Sequence, residues 1–387
     1  MDEIRALADR AAEQIGIYPV ITGKEKLKRL IRGTILRQRL APRDPFSWPN
    51  AMLGEGLLSV FAATGEKKYL LAAANYLRKW KSAGFPIHYV DNIMNGSLAL
   101  WIEELLTGTW EGVFSASEKE ELTALCESAE RACAEWVKRA PKTGQGLLVY
   151  RSQHPDWLFA DTIGMVCPFL CRYGEKEHDG QLLRLGIGQL QLFLKRGMDE
   201  RSGLPYHGYD EKTGMKYSVA GWGRACGWLM KGLAGSLPWI PKDAREYSEL
   251  LTAFERLTEA VGHYQRTDGG FSWQLPAMEG HRDSSAEGMI GAAAAAGIRA
   301  GLLGGDGENR SAEGKERSES GGQAAQGSAQ GLRELTRRLE KALRQSVADG
   351  VVKDCSGECL AFAEYPQVYG SYPWGTGSAL DFLARMM

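Results

Sequence analysis

The sequence has no run approaching the roughly 18 apolar residues that a membrane-crossing helix needs. Long apolar–polar alternation, the mark of half-buried strands, is nearly absent. An excess of one charge is missing too. The chain carries 47 Lys plus Arg against 48 Asp plus Glu, so no global field steers it toward nucleic acid or an anionic membrane surface. Histidine is scarce: the six, at positions 88, 154, 178, 207, 263 and 281, form no set with metal-ligand spacing. Cys355 and Cys359 are four apart, but no second Cys/His pair stands near them, and neither a metal nor an organic cofactor is expected. The seven cysteines are odd in number and fall mostly inside helical apolar patterns, which reads as buried free thiols in a reducing compartment. The opening "MDEIRALADRAAEQIG" is acidic and amphipathic. It lacks the basic and apolar regions of a signal peptide, so a cytoplasmic location is expected.

What is present is helical periodicity. It predicts helices over about 3–16, 26–38, 50–64, 67–82, 92–107, 116–138, 158–174, 178–197, 220–235, 241–264, 283–302, 331–347 and 376–386. Short turns such as 64–69 and 173–179 alternate with long loops rich in Gly, Pro and aromatics at 84–91, 140–157, 199–221, 266–282 and 354–375. Short turns make antiparallel helix pairs, and long loops gather on one side of the array. The expected fold is therefore all-α. About a dozen paired helices suggest an (α/α)6 barrel, a toroid of six hairpins with the site among the long loops at one mouth. No fixed-period repeat supports an open solenoid. A single domain over 1–387 is expected. Within it, residues 303–331 are Gly, Ser, Glu and Gln with almost no apolar content, and are read as a disordered insertion.

Five polar features recur in or beside the long loops. Asp161 lies in "HPDWLFADTIGMVCPFL" on the same helical stripe as Leu158 and Met165, where a carboxylate is rarely buried without a partner. Asp156 is the better placed cap for that helix, which puts Asp161 a turn inside; the bland alternative is a buried ion pair. Asp91 precedes a helix in "GFPIHYVDNIMNG", where an N-cap would also explain it. His207 and Asp210 sit in "GLPYHGYDEKTG". In "GWGRACGW", Arg224 and Trp228 share a helix face, and Arg suits bidentate binding of a carboxylate. In "RTDGGFSWQL…HRDSSAEG", a capping box accounts for Ser284 or Ser285 with Glu287.

The order and spacing of these pieces resemble a known family. "YVDNIMNG", "DWLFADTIGMVCPFL", "GLPYHGYDE", "GWGRACGW", "RTDGGFSWQ", "DSSAEGMIGAAAAAGI" and "YPWGTGSALDFLARM" are similar to the unsaturated rhamnogalacturonyl hydrolases, glycoside hydrolase family 105. They are more distantly similar to the unsaturated glucuronyl hydrolases of family 88. The resemblance spans about residue 48 to the end, leaving out 303–331. It implies an (α/α)6 barrel acting on lyase-generated oligosaccharides that carry a 4,5-unsaturated uronic acid at the non-reducing end. It also implies Asp161 as general acid/base, Asp91 as second carboxylate, His207 at the sugar, and Trp222 and Arg224 at the uronate. Trp228, Tyr89, His154, Trp157 and Trp48 complete the candidate sugar contacts. In one segment the chain departs from the family: Tyr150 stands where it tends to have His, His154 where it has Tyr, and Phe159 where it has Trp.

The chemistry these residues suit is proton transfer. A carboxylate on an apolar face beside a second carboxylate is expected to hold its proton nearer neutral pH. Two other readings compete. A sugar epimerase or isomerase on the same barrel would need several histidines for ring opening, and no comparable set is evident. A non-catalytic carbohydrate-binding barrel would use the loop tryptophans at 157, 222, 273 and 374 alone, and would not need the Asp91–Asp161 pair.

Overall fold

The computed structural model describes residues 1–17, 44–108, 110, 112–152, 154–303, 319–359 and 364–387, with isolated positions at 27, 30, 31, 34 and 35. The helix expected over 26–38 therefore falls mostly outside the described residues, as does 304–318 of the expected insertion. The described helices are α1 (Asp2–Gln14), α2 (Trp48–Thr64), α3 (Lys67–Ser82), α4 (Met94–Thr107), α5 (Ala116–Arg139), α6 (Ala160–Lys176), α7 (Gly180–Arg196), α8 (Gly223–Ser236), α9 (Arg245–Gly262), α10 (Ser284–Arg299), α11 (Glu319–Gln345) and α12 (Pro373–Arg385).

Local signals set many of these boundaries. Ser115 caps α5 in a full capping box with Glu118, and Lys138 and Arg139 occupy its last turn. Asp179 accepts from the backbone N–H groups of Gln181 and Leu182 to start α7. Gly65, with φ 71°, ends α2 in the left-handed conformation that glycine adopts without strain. The two classes of helix differ in their buried faces. α3 buries one stripe, Tyr69, Leu70, Ala73, Tyr76, Leu77 and Trp80, whereas every residue of α10 from Ser284 to Ala295 is buried. A helix buried on all sides belongs inside, and a one-sided helix belongs outside.

That division is the architecture. The even-numbered helices pack in sequence, α2 on α4, then α6, α8, α10 and α12, and α12 packs back on α2, so the inner ring closes. Each odd-numbered helix backs an inner one: α3 on α2, α5 on α4, α7 on α6, α9 on α8, α11 on α10 and α1 on α12. The all-α, six-hairpin barrel expected from the pattern of short and long connections is the fold. The closing seam is tight: a Cβ added at Gly377 would lie 2.4 Å from the Met52 carbonyl oxygen, so only glycine lets α12 reach α2.

Three details differ from the sequence expectation. The helix expected from 158 starts at Ala160, because Trp157–Phe159 is a strand, β1. The loop expected over 199–221 contains β2 (Tyr206–Asp210) and β3 (Lys216–Ala220), and β1–β2–β3 form an antiparallel sheet. Strands this short are too brief for a period of two to show. Lastly, α11 starts at Glu319, well before 331. Two further pairs, β4 (Val347–Ala348) with β5 (Val351–Val352) and β6 (Cys355–Ser356) with β7 (Tyr369–Gly370), pin the chain between α11 and α12.

All six inner helices present their N-terminal ends to the same mouth, with Trp48, Asp91, Asp161, Arg224, Asp283 and Trp374 at or beside those ends. The opposite end holds a cavity of about 440 Å³ whose charges are paired with one another, Lys231 with Glu55 at 2.6 Å and Arg385 with Asp381 at 2.7 Å. No described helix is long and apolar enough to cross a membrane.

Candidate active site

Asp161 lies in the first turn of α6, not a turn inside it, and Asp156 does not cap the helix. The N-cap position is Phe159, which makes no side-chain cap. Asp156 sits ahead of β1, where its carbonyl accepts from Glu211 N at 2.8 Å. The small sheet explains the arrangement. Pairing of Phe159 with Gly208 brings β2 across the start of α6. The β2–β3 register slips between Tyr206 and Gly208, at His207, and Ser218 on the facing strand adopts φ 75°. The bulge places the buried His207 against the helix start, with Nε2 3.1 Å from Asp161 Oδ2. On the other side of the ring, Nδ1 is 3.1 Å from the Tyr365 hydroxyl, which also contacts the Ser218 hydroxyl. The His207 ring thus lies against Asp161 Oδ2, a buried oxygen that accepts no hydrogen bond among the described residues.

Asp91 belongs to a 3-10 turn, Val90–Ile93, that runs into α4 and packs on α6. It caps nothing: the residue preceding α4 is Ile93. The turn is held instead by the Asn92 side chain, whose Oδ1 accepts from His88 N and Tyr89 N and whose Nδ2 donates to Asp44 and to the Phe46 carbonyl. Asp91 is thereby left 5% exposed with no hydrogen-bond partner at Oδ1 among the described residues. Burial pushes its carboxyl up to about 6; the Arg151 charge opposes the shift and Asp44 adds to it. Both Asp91 and Asp161 act electrostatically on the buried Tyr150 hydroxyl, so the two carboxylates share one neighbourhood.

The raised Asp91 carboxyl is also a statement about stability. Below pH 3.8 it is protonated folded and unfolded alike. Between there and about 6 the folded protein keeps the proton that the unfolded chain gives up, so stability falls as pH rises, and the loss is complete above about pH 7. Asp91→Asn removes that loss. It should raise the unfolding free energy by about 3 kcal/mol at pH 8 and change it little near pH 3.5, while impairing function. Denaturant melts at the two pH values check this. An equal gain at both would mean that Asp91 is not the group titrating.

The structure uses Arg224 differently from the sequence expectation. It is 2% exposed. Nη1 donates to the Ser356 carbonyl (3.0 Å), to the Ser356 hydroxyl and to Ser285 Oγ; Nη2 donates to the Gly357 carbonyl at 2.8 Å. Asp283 Oδ2 is 3.9 Å from Nη1. The planar fork expected for a substrate carboxylate is thus occupied by the protein, and it ties residues 356–357 to the start of α8. Asp283 completes this knot. It caps α10 by accepting from Ser285 N, and it also takes the N–H and hydroxyl of Ser356. Ser284 and Ser285 therefore do not form a capping box with Glu287, which instead accepts from Arg282 and from Phe271 N.

The aromatic candidates divide. Trp48 stands edge-on to Trp228 at 5.8 Å and leans on Trp374 at 5.1 Å. Trp228 is 1% exposed against Gly164, so it is a core residue and offers no face to a sugar. Trp222 lies 4.4 Å from the His207 ring and 5.2 Å from the Tyr365 ring, which covers it. Tyr89 belongs to the site through Arg151, whose guanidinium lies over its ring. Trp157 and the exposed His154 stack on each other at 3.7 Å along the rim.

With this geometry, the comparisons with known proteins are decisive. The model of the family described as Glycosyl Hydrolase Family 88 matches residues 25–314. The chain belongs to this family. A curated relative, the unsaturated rhamnogalacturonyl hydrolase YesR of Bacillus subtilis (strain 168), is 24% identical over 226 residues, covering 57% of this chain and 61% of the relative. The chain thus spans about three fifths of that relative's length in the match. Among solved structures, a possible member of the GH105 family from Salmonella enterica superposes with a TM-score of 0.74 at 15% identity, covering 100% of this chain and 93% of that one. An unsaturated glucuronyl hydrolase from Bacillus sp. GL1 gives 0.66 at 15% identity, with 100% and 95% covered. The family resembled at the level of motifs and its more distant kin are both represented, and the matching model is that of family 88.

Three residues of the candidate site carry little signal of their own in the sequence. Tyr365 lies in a loop marked only as long and aromatic. Arg151 lies in the departing "YRSQHPDW" segment, beside Tyr150. Asp283 was hidden by an ordinary capping pattern.

Proposed function

We propose that this chain hydrolyses oligosaccharides bearing a 4,5-unsaturated uronic acid at the non-reducing end, by hydrating the C4=C5 enol ether. The observation that carries the reading is Asp161 at a helix start, its buried Oδ2 3.1 Å from His207 Nε2 and without a hydrogen-bond partner among the described residues, in the same neighbourhood as a second carboxyl, Asp91, whose Oδ1 also has none. In this reading Asp161 protonates C4, leaving oxocarbenium character at C5. The same carboxylate then takes a proton from a water that adds at C5. The hemiketal opens, and C1 becomes a hemiacetal that releases the neighbouring sugar. One residue thus donates and retrieves the proton, and nothing is displaced at the anomeric carbon, unlike the usual two-carboxylate route. Asp91, protonated below about pH 6, is suited to hold a sugar hydroxyl at Oδ1. The N-termini of the inner helices favour an anionic substrate in this mouth.

YesR's name makes rhamnogalacturonan-type products the first substrates to try. Trp222 is covered by Tyr365, and the space between Trp222, Trp273 and Tyr365 is about 10 Å³. The test is loss of the ultraviolet absorbance of the conjugated double bond across a panel of lyase products. Turnover of an unsaturated rhamnogalacturonan disaccharide ahead of the glycosaminoglycan ones is expected. Binding without bleaching on every member would leave a non-catalytic barrel.

A further inference from the structure

We infer that Arg151, not Arg224, receives the carboxylate of the unsaturated uronate and thereby sets the requirement for a free acid; this rests on the reading above. Arg224 has its terminal nitrogens committed to Ser356, Gly357 and Ser285. Arg151 is arranged in the opposite way. Its guanidinium carbon lies 4.2 Å from the centroids of both the Tyr89 and the Tyr150 rings, so the planar group is held between two aromatic faces. Nη1 is buried and has no hydrogen-bond partner among the described residues, while Nη2 makes one long contact, 3.5 Å, with the Tyr150 hydroxyl. A guanidinium removed from water with an open donor is a site prepared for an acceptor.

The surrounding charges say which acceptor. The groups facing Arg151 are the carboxylates Asp91 and Glu358 and the two phenols. A uronate carboxylate brought in beside Asp91 and Asp161 meets like charge on two sides, and Arg151 is the cation with a donor left to offset it. The arginine is also well anchored. It follows a hairpin whose Leu147, Leu148 and Val149 are buried and whose Lys142 caps the carbonyls of Val137, Lys138 and Ala140 at the end of α5. A bidentate grip made by a pre-positioned fork orients C4 toward Asp161 as well as binding the ring.

The test compares one unsaturated disaccharide, as free acid and as methyl ester of its unsaturated ring, in wild type, Arg151→Lys and Arg151→Gln. Wild type should prefer the acid strongly. Arg151→Gln should lose about a hundredfold in kcat/KM on the acid and little on the ester, so the acid-to-ester ratio collapses. Arg151→Lys, which keeps the charge without the fork, should fall between. Because the ratio is taken within each variant, any partial loss of folded enzyme cancels. An acid-to-ester ratio unchanged in both variants would overturn the assignment. If the wild type bleaches no unsaturated uronide, the functional reading itself falls; if it does and only the ratio is unmoved, Arg151 alone is misassigned.

Discussion

Asp161→Asn should fold like the wild type and lose about 10²–10⁴-fold in turnover. The amide has the shape of the carboxylate and fits the same space beside His207 Nε2, 3.1 Å away in the native protein, so the helix start and the sheet that crosses it are retained. What it cannot do is donate a proton to C4 and take one back from water. The loss should appear in kcat, since sugar binding by the rest of the mouth is untouched. A purified variant retaining more than about a tenth of the wild-type rate would remove Asp161 from the chemistry and leave His207 or Asp91 as the proton donor.

Arg224→Ala should be the most destabilising single change in the mouth, by about 3–5 kcal/mol. Its partner Asp283 is 0% exposed, and its removal also leaves the carbonyls of Ser356 and Gly357 short of a donor. Arg224→Lys should recover part of this, because one ammonium cannot serve both carbonyls. Denaturant midpoints of the two variants decide the matter. If Arg224→Ala melts with the wild type and loses activity on free-acid substrates only, the carboxylate clamp belongs to Arg224 and the knot around Asp283 is self-sufficient.

The barrel was legible in the sequence for a physical reason. An inner helix must bury every side and an outer one a single stripe, so α10 and α3 announce their places by pattern alone. Alternating short and long connections then imply the pairing. The candidate site is legible in its carboxylates and less so in the residues packed around them. Asp161 and Asp91 stand out because their residue type is costly where they sit. The position of Asp161 at the first turn was missed because β1 has three residues, below what periodicity resolves, and its pairing with β2 is set about fifty positions away. Arg224 is hard to read because an arginine on a helix start looks the same in sequence whether its fork faces a ligand or the carbonyls of a loop 132 residues later. Long-range partners of this kind belong to the fold.

The central claim is that the bond protonated is C4=C5 and that Asp161 does it. The most direct measurement is turnover of an unsaturated disaccharide in D2O, with the product examined by NMR at early times. Delivery from a fixed carboxyl predicts one deuteron at C4, on one face only, and product that Asp161→Asn forms at its residual rate loses that facial preference. Deuterium on both faces of C4 would show that the glycosidic bond is displaced directly and that the released enol ketonises in solution, contradicting the account.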